Sequence, residues 1–536
     1  MNLIGNINAI PFRRFRGGGG VSPIPPFPSI PGMIVRYSAL GLTNEQMAVN
    51  PVWVDKTGND HDLQMKNFAW SGMSGVGGYV VNFKTWGKAV NRGEFTVTDS
   101  KIHITKSNIA RFPVVYTQQN NKFQIKVTGV NSQHVIMVDG MDLLISEDGY
   151  YTIDKMGYIG FGTAEILDSC NITIEQLPLY PGALVFDGVD DCGTCNNFPI
   201  LTKEKGYTVV ALRQWDQDFL NTTLTGGLLS TRNYSTGEGV AFEKIESSNK
   251  GYWNLGAGGI IDFAKSPFTW QTSKQYNNVG ILKGNKNHGK PLCVGCGLSG
   301  GQQCGRFAIW ELVFLDHDAT EEELTKIKDY FVKTYPWLFP DQAWTVVGKT
   351  NEDEDRATIA NITGNGNDLI LSNFGFAEGS GYNEEGEYAG YLVTDGVDDK
   401  IISSIFKMGN DWTVIGDWEL INTGKNDNAG IVKFDSIVIY NYNSTLINIK
   451  NGRNILIPDQ NTVNAICSDG RIYSKDWKES IYNEETESTS KNFLTIGYSG
   501  NTYTKIAFKN LAIYPTVLSR EDCIKAYNYL QTLKAK

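Results

Sequence analysis

The sequence predicts an all-β protein in which one β-sandwich unit occurs twice. The segment Ala183-Leu-Val-Phe-Asp-Gly-Val-Asp-Asp191 recurs as Tyr391-Leu-Val-Thr-Asp-Gly-Val-Asp-Asp399. Each copy has the pattern of a short apolar strand followed by a tight Asp-Gly reversal. The chain also contains 57 Gly, 25 Tyr, 25 Phe and 12 Trp residues, which is typical of β-rich proteins. The repeat therefore predicts one strand-turn-strand fold that is used twice.

Both copies are predicted to end with a long apolar strand and a short closing helix. Arg306-Phe-Ala-Ile-Trp-Glu-Leu-Val-Phe314 corresponds to Lys505-Ile-Ala-Phe-Lys-Asn-Leu-Ala-Ile513. A helix-start signal follows each run, Thr320-x-x-Glu323 in the first copy and Ser519-x-x-Asp522 in the second. The helices that begin there are expected to lay an apolar face on each sandwich core.

The first copy is predicted to be split by an inserted domain. Residues 57–68 are similar to residues 363–374, but the second copy reaches its Asp-Gly turn much sooner after this element. Residues 82–180 alternate apolar and polar positions in several short runs, as antiparallel sandwiches do. We therefore predict these parts: an arm at 1–32, a first unit at 33–81 plus 181–340 with a helix at 321–335, an inserted β-sandwich at 82–180, and a second unit at 341–536 with a helix at 520–533.

The repeated motifs resemble the concanavalin-A-like, laminin-G-like jelly rolls, which often carry Phe-Asp-Gly-x-Asp-Asp early and a short helix at the end. In addition, Gly348-Lys-Thr-Asn-Glu-Asp-Glu-Asp-Arg-Ala-Thr-Ile359 and Ile172-Thr-Ile-Glu-Gln-Leu-Pro178 resemble virion proteins of tailed phages of gut Bacteroidales, the crAss-like group among them. The resemblance covers residues 35–536. It implies two jelly rolls, the first split by an inserted β-sandwich, each closed by a short C-terminal helix.

The resemblance also implies a function. Proteins of this kind form head fibres, tail fibres or capsid decorations, and they display lectin-like domains for adhesion to the host surface. We therefore expect a non-enzymatic virion surface protein, assembled in the bacterial host cytoplasm, with capsid or tail proteins and a host surface glycan as partners. Phage fibres are usually trimers, so a homotrimer is expected. The alternative is a bacterial carbohydrate-binding surface protein, which the missing signal-peptide pattern disfavours.

Charge and motif content argue against several other classes of protein. The net charge of −10 disfavours a nucleic-acid partner, because phosphate contacts need faces rich in Lys and Arg. No apolar run is long enough to span a bilayer, so no membrane partner is expected. The acidic run Glu352-Asp-Glu-Asp355 falls in a polar loop rather than on a strand. No nucleophile elbow lies near any of the five His residues. These observations predict a protein without catalytic activity.

The N-terminal arm has a basic and aromatic segment that is unusual in this acidic chain. The segment is followed by four consecutive glycines and a Pro-rich stretch, which favour a flexible joint and polyproline II structure. The arm is either a disordered tail or an anchor that binds an acidic capsid or tail protein. The anchoring residues would be Phe12, Arg13, Arg14, Phe15 and Arg16.

Four cysteines form two Cys-x-x-Cys pairs, which is a spacing common in zinc sites. The pairs lie far apart in the sequence, so a shared site requires their strands to be neighbours. Disulfides and free buried thiols are the alternatives, and a reducing cytoplasm favours free thiols. The candidate zinc ligands are Cys192, Cys195, Cys293 and Cys296.

The acidic residues of the two Asp-Gly turns have two interpretations. Rim carboxylates can bind calcium, or they can cap the turn through hydrogen bonds to its backbone. We favour the turn because both copies keep it while other potential ligands differ. No cofactor beyond zinc or calcium is indicated. The residues concerned are Asp187, Asp190 and Asp191 in the first copy and Asp395, Asp398 and Asp399 in the second.

Aromatic side chains offer a further candidate site, because exposed Trp and Tyr rings stack on sugar rings. For each of them, however, we favour the ordinary role of a core residue over a sugar-binding role. The inserted domain is likewise either a spacer or a glycan-binding module. The candidates for a glycan platform are Trp215, Trp253, Trp418 and Trp477, together with Tyr252 and Trp270 in the first copy and Tyr440 and Tyr442 in the second.

Overall fold

The chain is predominantly β and forms several largely antiparallel sheets, so the expected all-β class is confirmed. Within the part described, no helix is both long and apolar enough to cross a membrane. The structure is a computed structural model, and it describes residues 24–535 outside these internal segments: 89–92, 108–111, 118–121, 132–135, 139–142, 154–156, 163–168, 202–205, 221, 232–240, 245–249, 254–258, 263–278, 284–290, 299–301, 405–408, 422–428, 435–436, 442–445, 449–453, 457–462, 475, 482–493 and 500–501.

The residues before the predicted insertion form four strands and one short helix. The hydroxyl of Thr43 caps this helix by accepting the backbone N–H of Gln46 at 3.2 Å. The elements are Met33–Ser38 (β1), Asn44–Val49 (α1), Val52–Trp53 (β2), Leu63–Lys66 (β3) and Gly75–Val76 (β4).

Residues 82–180 form two five-stranded sheets, ordered β11-β10-β13-β8-β5 and β12-β9-β14-β7-β6. Val115 and Ile159 of the first sheet pack in the same core as Ile125 and Ile174 of the second, so the two sheets form a sandwich. The strands are Gly87–Lys88 (β5), Gly93–Val97 (β6), Lys101–Ser107 (β7), Phe112–Tyr116 (β8), Phe123–Thr128 (β9), Ile136–Val138 (β10), Leu143–Ile145 (β11), Gly149–Ile153 (β12), Tyr158–Phe161 (β13) and Ile172–Gln176 (β14).

The strands after this sandwich pair with the strands that precede it. One sheet has the order β22-β17-β26-β15-β4 with β1 also on β26, and the other begins β2-β3-β16-β23-β18-β19. The elements are Leu184–Asp187 (β15), Cys192–Cys195 (β16), Thr208–Trp215 (β17), Gln217–Leu220 (α2), Gly226–Ser230 (β18), Ala241–Lys244 (β19), Lys250–Trp253 (β20), Gly259–Asp262 (β21), Val279–Lys283 (β22), Leu292–Val294 (β23), Cys296–Leu298 (β24), Gln302–Cys304 (β25), Arg306–Leu315 (β26) and Glu321–Thr334 (α3).

The C-terminal part repeats this strand order, with β44 between β31 and β33 as β26 lies between β15 and β17. Its second sheet has the order β28-β29-β32-β41-β34-β35. The elements are Gln342–Thr345 (β27), Thr358–Ile359 (β28), Leu369–Ser372 (β29), Gly381–Asn383 (β30), Tyr391–Val393 (β31), Lys400–Ser403 (β32), Thr413–Leu420 (β33), Ala429–Phe434 (β34), Ile437–Asn441 (β35), Leu446–Asn448 (β36), Asn454–Leu456 (β37), Val463–Cys467 (β38), Arg471–Ser474 (β39), Glu479–Ile481 (β40), Leu494–Ile496 (β41), Tyr498–Ser499 (β42), Thr502–Tyr503 (β43), Ile506–Tyr514 (β44) and Arg520–Leu530 (α4).

Both closing helices begin where the sequence signals predict. The Thr320 hydroxyl accepts the backbone N–H of Glu323, and the Glu323 carboxylate accepts the N–H of Thr320, so the capping box is confirmed. Ser519 caps α4 by accepting the N–H of Asp522 at 3.1 Å. The helices end at Thr334 and Leu530.

One continuous core runs through both repeats. Trp310 and Leu324 belong to the same buried cluster as Trp337, Ile415 and Tyr529. Trp337 lies in the 3₁₀ helix Pro336–Leu338, which connects the repeats and packs against α3 and α4. The connection is therefore part of the hydrophobic core rather than an exposed linker.

The predicted arm boundary at residue 32 is wrong, because part of the arm is packed. The Phe27 ring contacts the Tyr330 ring of α3 at a centroid distance of 4.7 Å. Ile30 is 5% exposed and belongs to the continuous core. These apolar contacts hold residues 27–30 against the first repeat.

Candidate functional site

The two Asp-Gly turns fold in the same way. Asp187 accepts the backbone N–H of Val189 at 2.8 Å, and Asp395 accepts that of Val397 at 2.7 Å. The glycines that follow these aspartates have φ values of +77° and +76°, which favour glycine over residues with a side chain. The local sequence alone therefore determines the shape of each turn.

The last aspartate of each turn is buried beneath it. Asp191 and Asp399 each use one oxygen to accept the N–H of the first aspartate of the turn, at 3.0 and 2.7 Å. The other oxygen accepts the hydroxyl of Ser74 or Ser380, at 3.0 Å in both copies. Burial raises the pKa of Asp191 to about 7 and that of Asp399 to about 6. This network ties the turn to the preceding loop.

The same carboxylates also form the predicted calcium clusters. One oxygen from each member lies within 4.8 Å of the others in both clusters. Calcium needs six to eight oxygen ligands, and the buried aspartates already use their oxygens for the turn. The geometry therefore favours the turn role, and calcium stays a prediction. The clusters are Asp187, Asp190 and Asp191, and Asp395, Asp398 and Asp399.

The four predicted zinc ligands do not form one site. Strands β16 and β23 are neighbours, with Thr194 opposite Cys293, so the two Cys-x-x-Cys pairs do meet. However, residues three apart on a strand point to opposite faces. Cys192 faces Cys293 and Cys296, whereas Cys195 belongs to the core between the sheets. The inclusion of Cys195 is therefore wrong, and Cys304 takes its place in the cluster.

The predicted glycan platform is wrong for three of its four tryptophans. Trp215, Trp418 and Trp477 are 0%, 1% and 0% exposed, because their strands and loops direct them into the cores. A buried indole cannot stack on a ligand. The side chain of Trp253, and those of Tyr252, Trp270, Tyr440 and Tyr442, lie outside the described residues, as do Phe12, Arg13, Arg14, Phe15 and Arg16.

A cavity of about 220 Å³ lies where the inserted sandwich meets the second repeat. It is the candidate ligand site that sequence reasoning missed. Its wall combines side chains that donate or accept hydrogen bonds with an apolar surface formed by Val80, Phe123, Leu177 and Leu179. The polar lining residues are Lys122, Gln124, Thr152, Lys509, Tyr527, Asn528 and Gln531.

Two lysines line the junction cavity, and the carboxylate of Asp417 interacts with both of them. Lys122 Nζ lies 3.5 Å from a carboxylate oxygen of Asp417 and donates a hydrogen bond to the Tyr391 hydroxyl at 2.8 Å. Burial opposes ionisation of Asp417, but Lys122 and Lys509 outweigh it and hold its pKa below the usual value. Burial lowers the pKa of Lys509, and Asp417 opposes that shift. The cavity is therefore lined by two lysines, and one carboxylate lies beside Lys122 without lining the cavity.

The lining of the cavity includes a buried side-chain oxygen that is available to a ligand. The side-chain oxygen of Gln124 accepts no hydrogen bond within the part of the chain described, although the residue is only 5% exposed. A buried carbonyl oxygen without a donor costs about 1–3 kcal/mol. A ligand with hydroxyl groups would satisfy it, while its apolar face would contact Phe123 and Leu179. The cavity thus suits a small polyhydroxylated molecule.

Comparisons with known proteins give no family assignment. No protein-family model matches the chain, and no curated protein matches it. Among solved structures, the chain is similar to the botulinum neurotoxin serotype D binding domain at 12% identity, with 64% of this chain and 89% of that chain covered and a TM-score of 0.24. It is also similar to a Trypanosoma rangeli sialidase in complex with sialic acid at 8% identity, covering 81% and 82%, with a TM-score of 0.26. TM-scores this low carry no argument about function.

Proposed function

We propose that the chain is a non-enzymatic adhesion protein that binds one saccharide unit in the junction cavity. The observation that carries this proposal is the lining of that cavity. It brings together two ammonium groups, several amide and hydroxyl groups, and an apolar wall. Saccharides present the matching features, because each ring has hydroxyl groups at its edge and C–H groups on its face.

The charge of the cavity favours an acidic saccharide. Lys122 and Lys509 carry two positive charges, and Asp417 neutralises only one of them. A carboxylate on the ligand would complete the charge balance in a site that is partly shielded from water. We therefore expect uronic or other carboxylated sugars to bind more tightly than neutral sugars of the same size.

We further propose that the two repeats are concanavalin-A-like jelly rolls displayed on the surface of a tailed-phage virion, as a head or tail fibre or decoration. The sequence resemblance supports this role, and the repeated strand order suits a display scaffold. Residues 1–23 together with the packed segment that follows would attach the protein to a capsid or tail protein, with trimerisation as the favoured oligomeric state. A bacterial carbohydrate-binding surface protein is the alternative, and it would use the same cavity.

A glycan array of the intact chain tests the saccharide proposal. We expect binding to a subset of carboxylated glycans, and we expect Gln124→Ala to weaken it by roughly 5- to 150-fold, since a lost hydrogen bond in a buried site costs about 1–3 kcal/mol. Lys126→Ala is the matched control, because Lys126 lies on the same strand and is exposed beside Tyr150, outside the cavity. Equal loss in both variants, or no bound glycan, would argue against the cavity as the site.

Deletion of residues 2–20 tests attachment to the particle. We expect the shortened chain to fold with an unchanged melting temperature, because the deletion leaves the contacts that Phe27 and Ile30 make with the first repeat in place. We also expect it to be absent from purified virions analysed by mass spectrometry, because anchoring residues at interfaces commonly contribute about 2 kcal/mol or more each. Normal incorporation of the chain that lacks residues 2–20 would show that another part of the protein attaches it to the particle.

A further inference from the structure

We propose that Cys192, Cys293, Cys296 and Cys304 bind one Zn²⁺ ion when the chain is reduced. The four residues form a separate buried cluster, with exposed fractions of 3%, 3%, 0% and 5%. Four thiolates are a common ligand set for structural zinc. This site shares no residue with the junction cavity, so it does not depend on the proposed saccharide function.

The strand arrangement brings the four cysteines together. Cys192 begins β16, and its neighbour β23 contains Cys293. Cys296 and Cys304 face each other across the hairpin of β24 and β25. Two thiols thus come from adjacent sheet strands and two from the hairpin that follows β23. Zinc would connect the interior strands β16 and β23 of this sheet to the hairpin of β24 and β25.

In the Cys293-Val-Gly-Cys296 segment the backbone turns so that it contacts the Cys293 sulfur. Gly295 has a φ of +97°, and a Cβ there would lie 2.5 Å from the carbonyl oxygen of Asp191. The turn that this glycine permits directs the backbone N–H of Cys296 to the sulfur of Cys293. A hydrogen bond of this kind stabilises a thiolate and fixes its direction, as the second layer of a metal site does.

One lysine lies beside the cysteine cluster. Lys66 is opposite Cys192 on the neighbouring strand β3. Its ammonium would partly balance the negative charge of a zinc ion with four thiolates, and Asp190 and Asp191, which precede Cys192 in the chain, would act against it.

Cys195 is a suitable control residue for the proposed zinc site. It lies on the same strand as Cys192 but in the core between the sheets, near Tyr37. Its thiol donates a hydrogen bond to the side-chain oxygen of Asn197 at 3.2 Å. Replacement of this buried thiol therefore tests the effect of a cysteine substitution in the same strand without touching the metal ligands.

In the structure Cys296 and Cys304 form a disulfide, so metal binding requires its reduction. A dithiol such as dithiothreitol supplies two electrons and two protons, which convert the disulfide to two thiols while the dithiol becomes a cyclic disulfide. Zn²⁺ then replaces the four thiol protons, which are released to the solvent. Reduced zinc-bound and oxidised zinc-free forms are thus mutually exclusive.

The full chain, reduced and handled without oxygen, should retain about one zinc per chain after gel filtration, measured by inductively coupled plasma mass spectrometry. The variants Cys192→Ser, Cys293→Ser and Cys304→Ser should each lose it, while Cys195→Ser keeps it. Cobalt substitution of the unaltered chain gives a readout that does not depend on the folding of any variant, because four thiolates give strong sulfur-to-cobalt absorption bands. Absence of zinc and of these bands, zinc loss in Cys195→Ser alone, or iron in place of zinc would overturn the proposal.

Discussion

Replacing Arg36 by alanine is expected to lower the free energy of unfolding by about 3–5 kcal/mol. The Arg36 guanidinium donates two hydrogen bonds of 3.0 Å to the carboxylate of Glu311, which is 0% exposed. Ser38 and Tyr335 donate to the same carboxylate, each at 2.8 Å. The Phe27 ring covers the guanidinium at 4.2 Å. Removal of Arg36 would leave a buried negative charge without its cation.

The pH dependence of the Arg36→Ala variant distinguishes a lost charge partner from lost packing. Burial raises the pKa of Glu311, and Arg36 is the main group that opposes this shift. Without Arg36 the pKa of the folded carboxyl rises further above that of the unfolded chain. The stability deficit of the variant relative to the unaltered chain should therefore shrink as the pH falls from 7 towards about 4.3, the usual pKa of a glutamate. Chemical unfolding of both proteins at several pH values measures this change.

Two control variants belong to the same experiment. Adding Glu311→Gln to Arg36→Ala should recover part of the loss, because the buried charge is removed. Lys326→Ala breaks an exposed pair with Glu322 on α3 and should cost less than about 0.5 kcal/mol. A loss as small as that of Lys326→Ala would show that β1 is not held to β26 through the buried ion pair.

The second large effect is expected at Trp337. Replacing it by alanine should cost about 3–5 kcal/mol, because a fully packed Trp is lost from the core. Trp337 is 3% exposed, its ring lies 4.4 Å from Lys525 Nζ, and its carbonyl accepts the Tyr514 hydroxyl at 3.0 Å. These contacts join the connection to the second repeat, and the Trp337 ring also contacts the Tyr335 ring at a centroid distance of 5.6 Å.

We expect the two repeats to unfold together in the unaltered chain and to separate into two transitions in Trp337→Ala. Differential scanning calorimetry measures the number of transitions. Val332→Ala is the control, since Val332 lies on α3 but is 37% exposed. If Trp337→Ala unfolded in a single transition at the original temperature, the connection would not couple the two repeats.

Features that depend on neighbouring residues were predictable from the sequence. The capping box at Thr320 and the turn at Asp395 each need only a few consecutive side chains, and both formed as expected. The second closing helix likewise began after Ser519. In these cases the donor and acceptor lie within four residues of each other, so no tertiary contact had to be known.

Features that depend on contacts between distant parts of the chain were not predictable from the sequence. Lys122 and Asp417 meet only because the inserted sandwich packs on the second repeat. The residues next to Lys122 and Asp417 in the sequence do not indicate this contact. Trp215 and Trp418 are of the residue type that binds sugar rings, yet both lie on strand faces that point into the hydrophobic cores. The exclusion of Cys195 could have been inferred, because its spacing from Cys192 puts it on the other face of β16.

The junction cavity is expected to bind a saccharide without changing it chemically. The most direct measurement is saturation-transfer NMR of the intact chain with the tightest array glycan, followed by mass spectrometry of that glycan after prolonged incubation. We predict that the carboxylated unit receives most of the saturation, that a titration with Gln124→Ala gives an affinity roughly 5- to 150-fold weaker while Lys126→Ala keeps the affinity of the unaltered chain, and that the glycan is recovered intact. Recovery of a hydrolysed glycan, or an unchanged affinity in Gln124→Ala, would contradict these predictions.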